Sequence, residues 1–428
     1  MSLLQAGFGL VEISPLVGTP LAGYLRARYA TRVHDPLFAR ALALSDGSTS
    51  VLLLSCDLLA LAHEEVAAIR REISQCLPVL PDHIFLLATH IHTGPATVSA
   101  FETPKAEEYA DALPGKVLRA AETAWYDLAL ANAMVVRREV PGVGFERRYR
   151  MKDGTTRTNP GVGNPDIVEP YRKIRTPLSL LGFERDATRL PIVLAIYPCH
   201  ADVVGGTEVS ADFPGRTCND LTHRLPGHPE VLFARGPAGD INHIDVSNPQ
   251  PQSGYDHAKR MAKLLADAAV EMWPDRAEVS GALAVRSEVI SLPRRPVEQE
   301  ALRAARTGLT HAQPDGGLSE ENLWARELVM LSEMPEELPV EIAAILVGDL
   351  AFVALPGEPF SALGEEIERR SLFRHTLVAD CAGGGFGYLP PEECYGQHGY
   401  EERPARSSPF APGSGEKFVE AAVALLKG

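Results

Sequence analysis

Apolar runs of strand length recur along the chain, and most of them end in a polar group. SVLLLSCDLLAL (50–61) carries Asp57, IFLLATHIH (84–92) carries His90 and His92, and LPIVLAIYPCH (190–200) ends on His200. EVLFARGPAGDINH (230–243) reaches Asp240 and Asn242, LAFVALPGE (350–358) delivers Glu358, and TLVADCAGGGFGY (376–388) delivers Tyr388. Short apolar runs bounded by turn residues predict buried strands. The 3.6-residue period predicts helices over 62–77, 256–273, 319–334 and 415–428. Ser319 is the expected N-cap of the third, with Glu320 and Glu321 in its first turn. Gly348-Asp349 splits the apolar stretch 340–358 into a hairpin. Strands alternating with helices predict an α/β fold, a mixed twisted sheet covered by helices. Because the polar ends come from strands all along the chain, residues 1–428 are expected to form a single catalytic domain.

Composition narrows the class of function. The chain has 428 residues, 45% of them apolar and 23% charged, enough to bury a sizeable core. A net charge of −15 and the lack of a basic stripe argue against nucleic acid as a partner. The six cysteines are scattered and none forms a Cys-x-x-Cys pair, which predicts reduced thiols. The opening MSLLQAGFGLVEISP lacks the features of a secretory leader, and no uninterrupted apolar run reaches the ~18 residues of a membrane span. A cytoplasmic location is the expectation, with export left open.

The chemistry starts at His90-Ile91-His92. In an extended chain alternate side chains share a face, so the two imidazoles would point the same way, and Gly94-Pro95 would end the strand. Two such imidazoles suit a metal ion or a hydrogen-bonded core pair. Ligand sites in open α/β sheets lie beyond the carboxyl ends of strands. His90, His92, His200, Glu358 and Tyr388 all hold that kind of position. Imidazole nitrogen with carboxylate and phenol oxygen makes a shell suited to zinc. Each residue alone has a plainer role: a satisfied core histidine, a Glu358 carboxylate capping the next helix, a Tyr388 ring packed in a glycine-rich loop.

Together, eight ordered segments make the chain similar to a known family. They are HDPLFARALAL (34–44), ATHIHTGP (88–95), FERRYRMKDG (145–154), YPCHADVVGG (197–206), SADFPG (210–215), GPAGDINH (236–243), PGEPFSALG (356–364) and GFGYLPPEECY (385–395). In these the chain resembles the neutral (alkaline) non-lysosomal ceramidases, zinc-dependent amidases. The resemblance implies a zinc shell of His90, His200, Glu358 and Tyr388. It places His92 beside the shell as a proton carrier, or as a ligand in a register shifted by two residues. Arg147 falls where the family contacts substrate, although a solvated hairpin turning at Asp153-Gly154 would explain it as well. Asp240 and Asp212 are candidates to orient the histidines, and Asn242 and Tyr388 to donate hydrogen bonds to a developing oxyanion. Asp57 and His34 are weaker pocket candidates.

The chain also departs from the family pattern. Asn242 stands where the ceramidases have serine, His200-Ala201 replaces an expected His-Pro, and one terminal helix follows Tyr388 where longer ceramidases carry an immunoglobulin-like domain. What the resemblance implies is a short-form ceramidase-like hydrolase that cleaves an N-acyl amide of a small-molecule or lipid-like (sphingolipid) substrate with a zinc-activated water. An esterase or lactonase acting on a small polar substrate is the first alternative; a metal-binding relative without catalysis is the second. A barrel amidohydrolase, which also begins with His-x-His, fits the Pro-Gly-Glu and late-Tyr pattern poorly.

Overall fold

Strand after strand in this chain is apolar on both faces, and the layering explains why. The computed structural model describes residues 3–186, 188–310, 318–385 and 387–428. The larger sheet uses β1 (Gln5–Glu12), β2 (Phe38–Ser45), β3 (Ser50–Cys56), β4 (Ile84–Ala88), β5 (Ala129–Glu139), β6 (Pro177–Arg185), β7 (Ile192–Tyr197) and β8 (Glu230–Arg235). Their order is β8-β7-β6-β5-β1-β2-β3-β4, with Ala277–Val279 also paired to β5. The two outermost pairs, β3–β4 and β7–β8, are parallel, and the pairs between them are antiparallel. A second sheet runs β9 (Leu283–Pro293), β10 (Glu337–Val347), β11 (Leu350–Ala354) and β12 (His375–Ala379). The predicted hairpin at Gly348-Asp349 is the β10–β11 turn.

Four helices cover the outer face of the larger sheet: α1 (His63–Cys76), α2 (Glu107–Tyr126), α3 (Asp212–Arg224) and α4 (Tyr255–Met272). Leu52, Leu54, Ile84 and Leu86 pack there with Val66, Ile69, Val117 and Leu265. The alternate residues of the same strands, Leu53, Phe85 and Leu87, pack against Ile345, Phe352 and Leu377 of the second sheet. A helical pair, α5 (Gln299–Thr310) and α6 (Glu320–Glu333), is inserted between β9 and β10. The outer face of the second sheet, with Ile342, Val353 and Val378, is closed by α7 (Ser361–Arg370) and α8 (Ser414–Lys427). The fold is α/β as predicted. The finding beyond that is a second sheet: two sheets stacked face to face, each with helices on its outer side. Period-2 burial on both faces looks the same whether a helix or another sheet supplies the cover.

Four helices predicted from the sequence form within one or two residues of their expected ends, and Ser319 Oγ accepts the Asn322 N–H as the N-cap of α6. Helices α2 and α3 were not predictable from breaker residues, since each contains a Pro-Gly pair, Pro114-Gly115 and Pro214-Gly215. In α3 the proline lies in the first turn, where no amide partner is lost. The Pro- and Gly-rich stretch 308–318 has the composition of a loop, but residues 308–310 are the last turn of α5, and 311–317 lie outside the described residues.

The larger sheet curls until its edge strands approach each other. Ser55 Oγ on β3 donates to Phe233 O on β8 at 2.5 Å. Residues 380–383, leaving β12, bridge the two edges: Asp380 N–H donates to Arg235 O (2.9 Å), Ala88 N–H to Cys381 O (3.0 Å) and Gly383 N–H to Leu86 O (2.9 Å). The carboxyl ends of β4, β7, β8 and β12 are thereby drawn to one place.

Candidate active site

His90 and His92 lie beyond β4, not on it. The strand ends at Ala88, and His90 takes a left-handed conformation (φ 63°), so the convergence of the two rings comes from a turn and not from extended alternation. The segment is then stitched to the chain after β7, with His92 N–H donating to Ala201 O at 3.2 Å. His200 lies three residues beyond the end of β7. The ring centroids of His90 and His92 are 5.1 Å apart, and those of His90 and His200 are 4.9 Å apart.

Glu358 and Tyr388 reach the same point through a two-strand parallel pair, Glu358–Pro359 with Tyr388–Leu389, which sets the two residues side by side. The glycine before each is required. Gly357 has φ +70°, and a Cβ there would meet Gly387 O at 2.6 Å; Gly387 has φ +81°, and a Cβ would meet Ser407 O at 2.3 Å. Pro-Gly-Glu and Gly-Tyr are therefore motifs of close backbone approach as much as of chemistry. Glu358 does not cap α7. That task belongs to Asp240, which accepts Ser361 N–H (2.7 Å) and Ser361 Oγ–H (2.9 Å).

Each histidine is oriented by main-chain carbonyls. His90 Nδ1 faces Leu59 O, His92 Nδ1 faces Gly23 O, and His200 Nδ1 faces Ala238 O, all at 2.9 Å. A carbonyl only accepts, so Nδ1 carries the proton and the Nε2 lone pair points inward. The orienting role expected of Asp240 and Asp212 is thus filled by backbone. Asp240 is held by Ser361, and Asp212 accepts Val204 N–H at 2.8 Å. Asn242 is tied to Asn159 Oδ1 through its Nδ2 (2.7 Å) and accepts Ile244 N–H (3.0 Å).

Ligand-type nitrogens of His90, His92 and His200 all lie within 4.8 Å of one another. Glu358 Oε2 stands 3.1 Å from His90 Nε2 and 3.0 Å from His200 Nε2, and the Tyr388 hydroxyl is 3.3 Å from His200 Nε2. Among the described residues His92 Nε2 has no hydrogen-bond partner, although buried. Burial, with His90 beside it, takes His92 down to about 4; burial, with Arg147, takes His200 to about 3; burial and Arg235 lower His90. Burial opposes the charge of Glu358, yet the carboxylate is held well below its usual range, with the Arg235 guanidinium as the fixed cation facing it. Neutral imidazole lone pairs facing a carboxylate are electron-pair donors crowded together. That set fits a cation such as zinc.

Arg147 is not the solvated hairpin residue that one reading allowed. The hairpin exists, from Arg148–Met151 to Thr156–Thr158, but Arg147 itself is buried. Its guanidinium pairs with Glu401 at 2.8 Å, donates to Gly239 O at 2.5 Å, lies 3.4 Å from His200 Nε2 and stacks 5.1 Å from the Tyr388 ring centre. Asp57 is bound to Arg40 at 2.6 Å, and His34 stacks on Tyr255 at 3.5 Å; neither lines the cavity beside the histidines. That cavity, of about 470 Å³, opens against His90 and Glu358. Leu59, Ala60, Val98, Phe101 and Met334 give it mainly apolar walls, interrupted by the Glu327–Arg406 ion pair. Sequence reasoning missed Arg235, Asp380 and Glu401. The available signal was a charge embedded in an apolar run, as in VLFAR and TLVAD.

No family model matches the chain, and no curated protein matches it. Among solved structures, neutral ceramidase from Pseudomonas aeruginosa is similar with a TM-score of 0.75 and 18% identity, over 100% of this chain and 74% of that one. A ceramidase complexed with C2 is similar with a TM-score of 0.75 and 17% identity, over 100% of this chain and 75% of that one. The chain therefore has the neutral ceramidase fold, the fold of the family that its ordered motifs resemble.

Proposed function

We propose that this chain is a zinc-dependent hydrolase that cleaves an N-acyl amide bond. The observation that carries the proposal is the ring of inward Nε2 lone pairs around the Glu358 carboxylate at the mouth of an apolar cavity. His90, His200 and Glu358 would hold the metal, with Tyr388 and His92 on its flanks. Bound zinc supplies a Lewis acid for the carbonyl and acidifies water to near neutral pH.

The chain's own groups do the rest. Arg147 and the protonated Tyr388 hydroxyl, whose pKa burial and Glu358 push well above the usual value, supply donors beside His200 for charge developing on the carbonyl oxygen. His92 Nε2, neutral and free, accepts the proton that must pass to the leaving amine. Leu59, Val98, Phe101 and Met334 take an acyl chain and exclude water. The apolar walls favour a lipid-like amide over the small polar ester or lactone.

Purified full-length protein should contain close to one zinc per chain, and turnover of N-acyl amides should cease on chelation. His90→Ala and His200→Ala should each lose the metal while keeping the wild-type circular dichroism spectrum. Full zinc retention by both variants, or turnover that survives chelation, would refute the proposal.

A further inference from the structure

Arg235 and Asp380 form a fully buried ion pair, with both side chains 0% exposed. Arg235 closes β8 of the larger sheet, and Asp380 directly follows β12 of the second. The pair is bidentate: Nε to Oδ1 at 2.8 Å and Nη2 to Oδ2 at 2.8 Å. Asp380 also accepts the Ala238 N–H at 3.2 Å. This fork fixes the plane of the guanidinium, and two of its three remaining N–H bonds reach one atom, Glu358 Oε2, with Nη1 at 3.4 Å and Nη2 at 3.5 Å. The same oxygen faces His90 Nε2 and His200 Nε2.

Resting on the metal-centre reading above, we infer that Arg235, clamped by Asp380, is a positioning residue that fixes the Glu358 carboxylate against the histidines and sets the affinity and geometry of the metal site. A carboxylate beside two inward lone pairs is repelled by them. The guanidinium is the fixed cation that holds it there, and it draws charge from Oε2. A lysine brings a point charge without the planar fork and cannot do both. A purely structural staple between the sheets would need the Arg235–Asp380 contact and nothing at Glu358.

The test uses metal-stripped full-length protein titrated with Co²⁺, read by visible absorption and by affinity, in wild type, Arg235→Lys and the double variant Arg235→Met/Asp380→Leu. Removing both charges of a buried pair for apolar groups of similar size is often neutral for stability. The double variant is therefore expected to fold, to bind Co²⁺ at least tenfold more weakly and to show a shifted d–d band, with Arg235→Lys intermediate. A folded double variant with wild-type affinity and spectrum overturns the inference. Should the double variant not fold, Arg235→Lys decides: a tenfold loss with a shifted band supports the inference, and an unchanged titration overturns it. No Co²⁺ uptake by wild type would overturn the metal-centre reading and this inference with it.

Discussion

His92 and His200 are held neutral by burial, to about 4 and about 3, whereas an unfolded chain protonates its histidines near 6.5. As pH falls from about 6.5 to about 4, the unfolded state binds a proton that folded His92 refuses. Metal-free protein therefore loses stability through that window, by at most about 3 kcal/mol from this residue, and keeps the contribution in full above it. His92→Gln should flatten the pH dependence of the unfolding free energy between pH 6.5 and 4, measured by denaturant titration; an equal slope in both proteins would contradict the burial argument. The same neutrality bears on the proposed metal centre. Protons do not compete for these nitrogens near pH 7, so affinity should change by less than about threefold between pH 8 and 6. A competition titration showing a steep fall across that range would place the ligands elsewhere. At this scale the sequence named the inward-facing groups, but not the carbonyls of Leu59, Gly23 and Ala238 that aim them, since a backbone acceptor leaves no mark in residue identity.

At the scale of the element, the two-residue pairing of Glu358–Pro359 with Tyr388–Leu389 bears more on the site than any long strand. Gly387→Ala puts a Cβ in a left-handed position 2.3 Å from Ser407 O. It should cost about 1–3 kcal/mol of stability, and it should lower metal content because Tyr388 and Glu358 shift together. Ser319→Ala removes the cap of α6 and should cost about 1 kcal/mol while leaving metal content unchanged. Thermal unfolding and elemental analysis on the two variants separate the effects, and equal metal loss in both would dissociate the glycine from the site. The predicted elements are those with a clean period and clean ends, such as α1 and α6. Of the four helices left out, α2, α3, α5 and α7, the first two carry Pro-Gly pairs that act locally as stop signals and are overridden by burial of Leu113, Val117, Phe213 and Leu221.

At the scale of the molecule, the cavity beside the histidines takes its walls from segments far apart in sequence: the turn after β3, the loop after β4, the end of α6 and the chain after β12. Met334 leaves α6 into that wall. Met334→Trp should shorten the preferred acyl chain, reducing kcat/KM for long N-acyl amides about tenfold with little change for short ones. A uniform loss across chain lengths would mean that the acyl group does not lie along Met334.

By itself the sequence determined which polar residues end its buried strands and where several of its helices lie, because residue type and apolar period act over a few positions. It also determined that strands would be buried on both faces. The tertiary structure alone decided that helices cover one face and a second sheet the other. It decided as well that the larger sheet curls until residues 380–383 join its edges, and that Arg235 and Asp380 meet at Glu358. The second sheet's cover, the curl and the meeting at Glu358 rest on contacts between segments separated by more than a hundred residues, and no local pattern records such a contact.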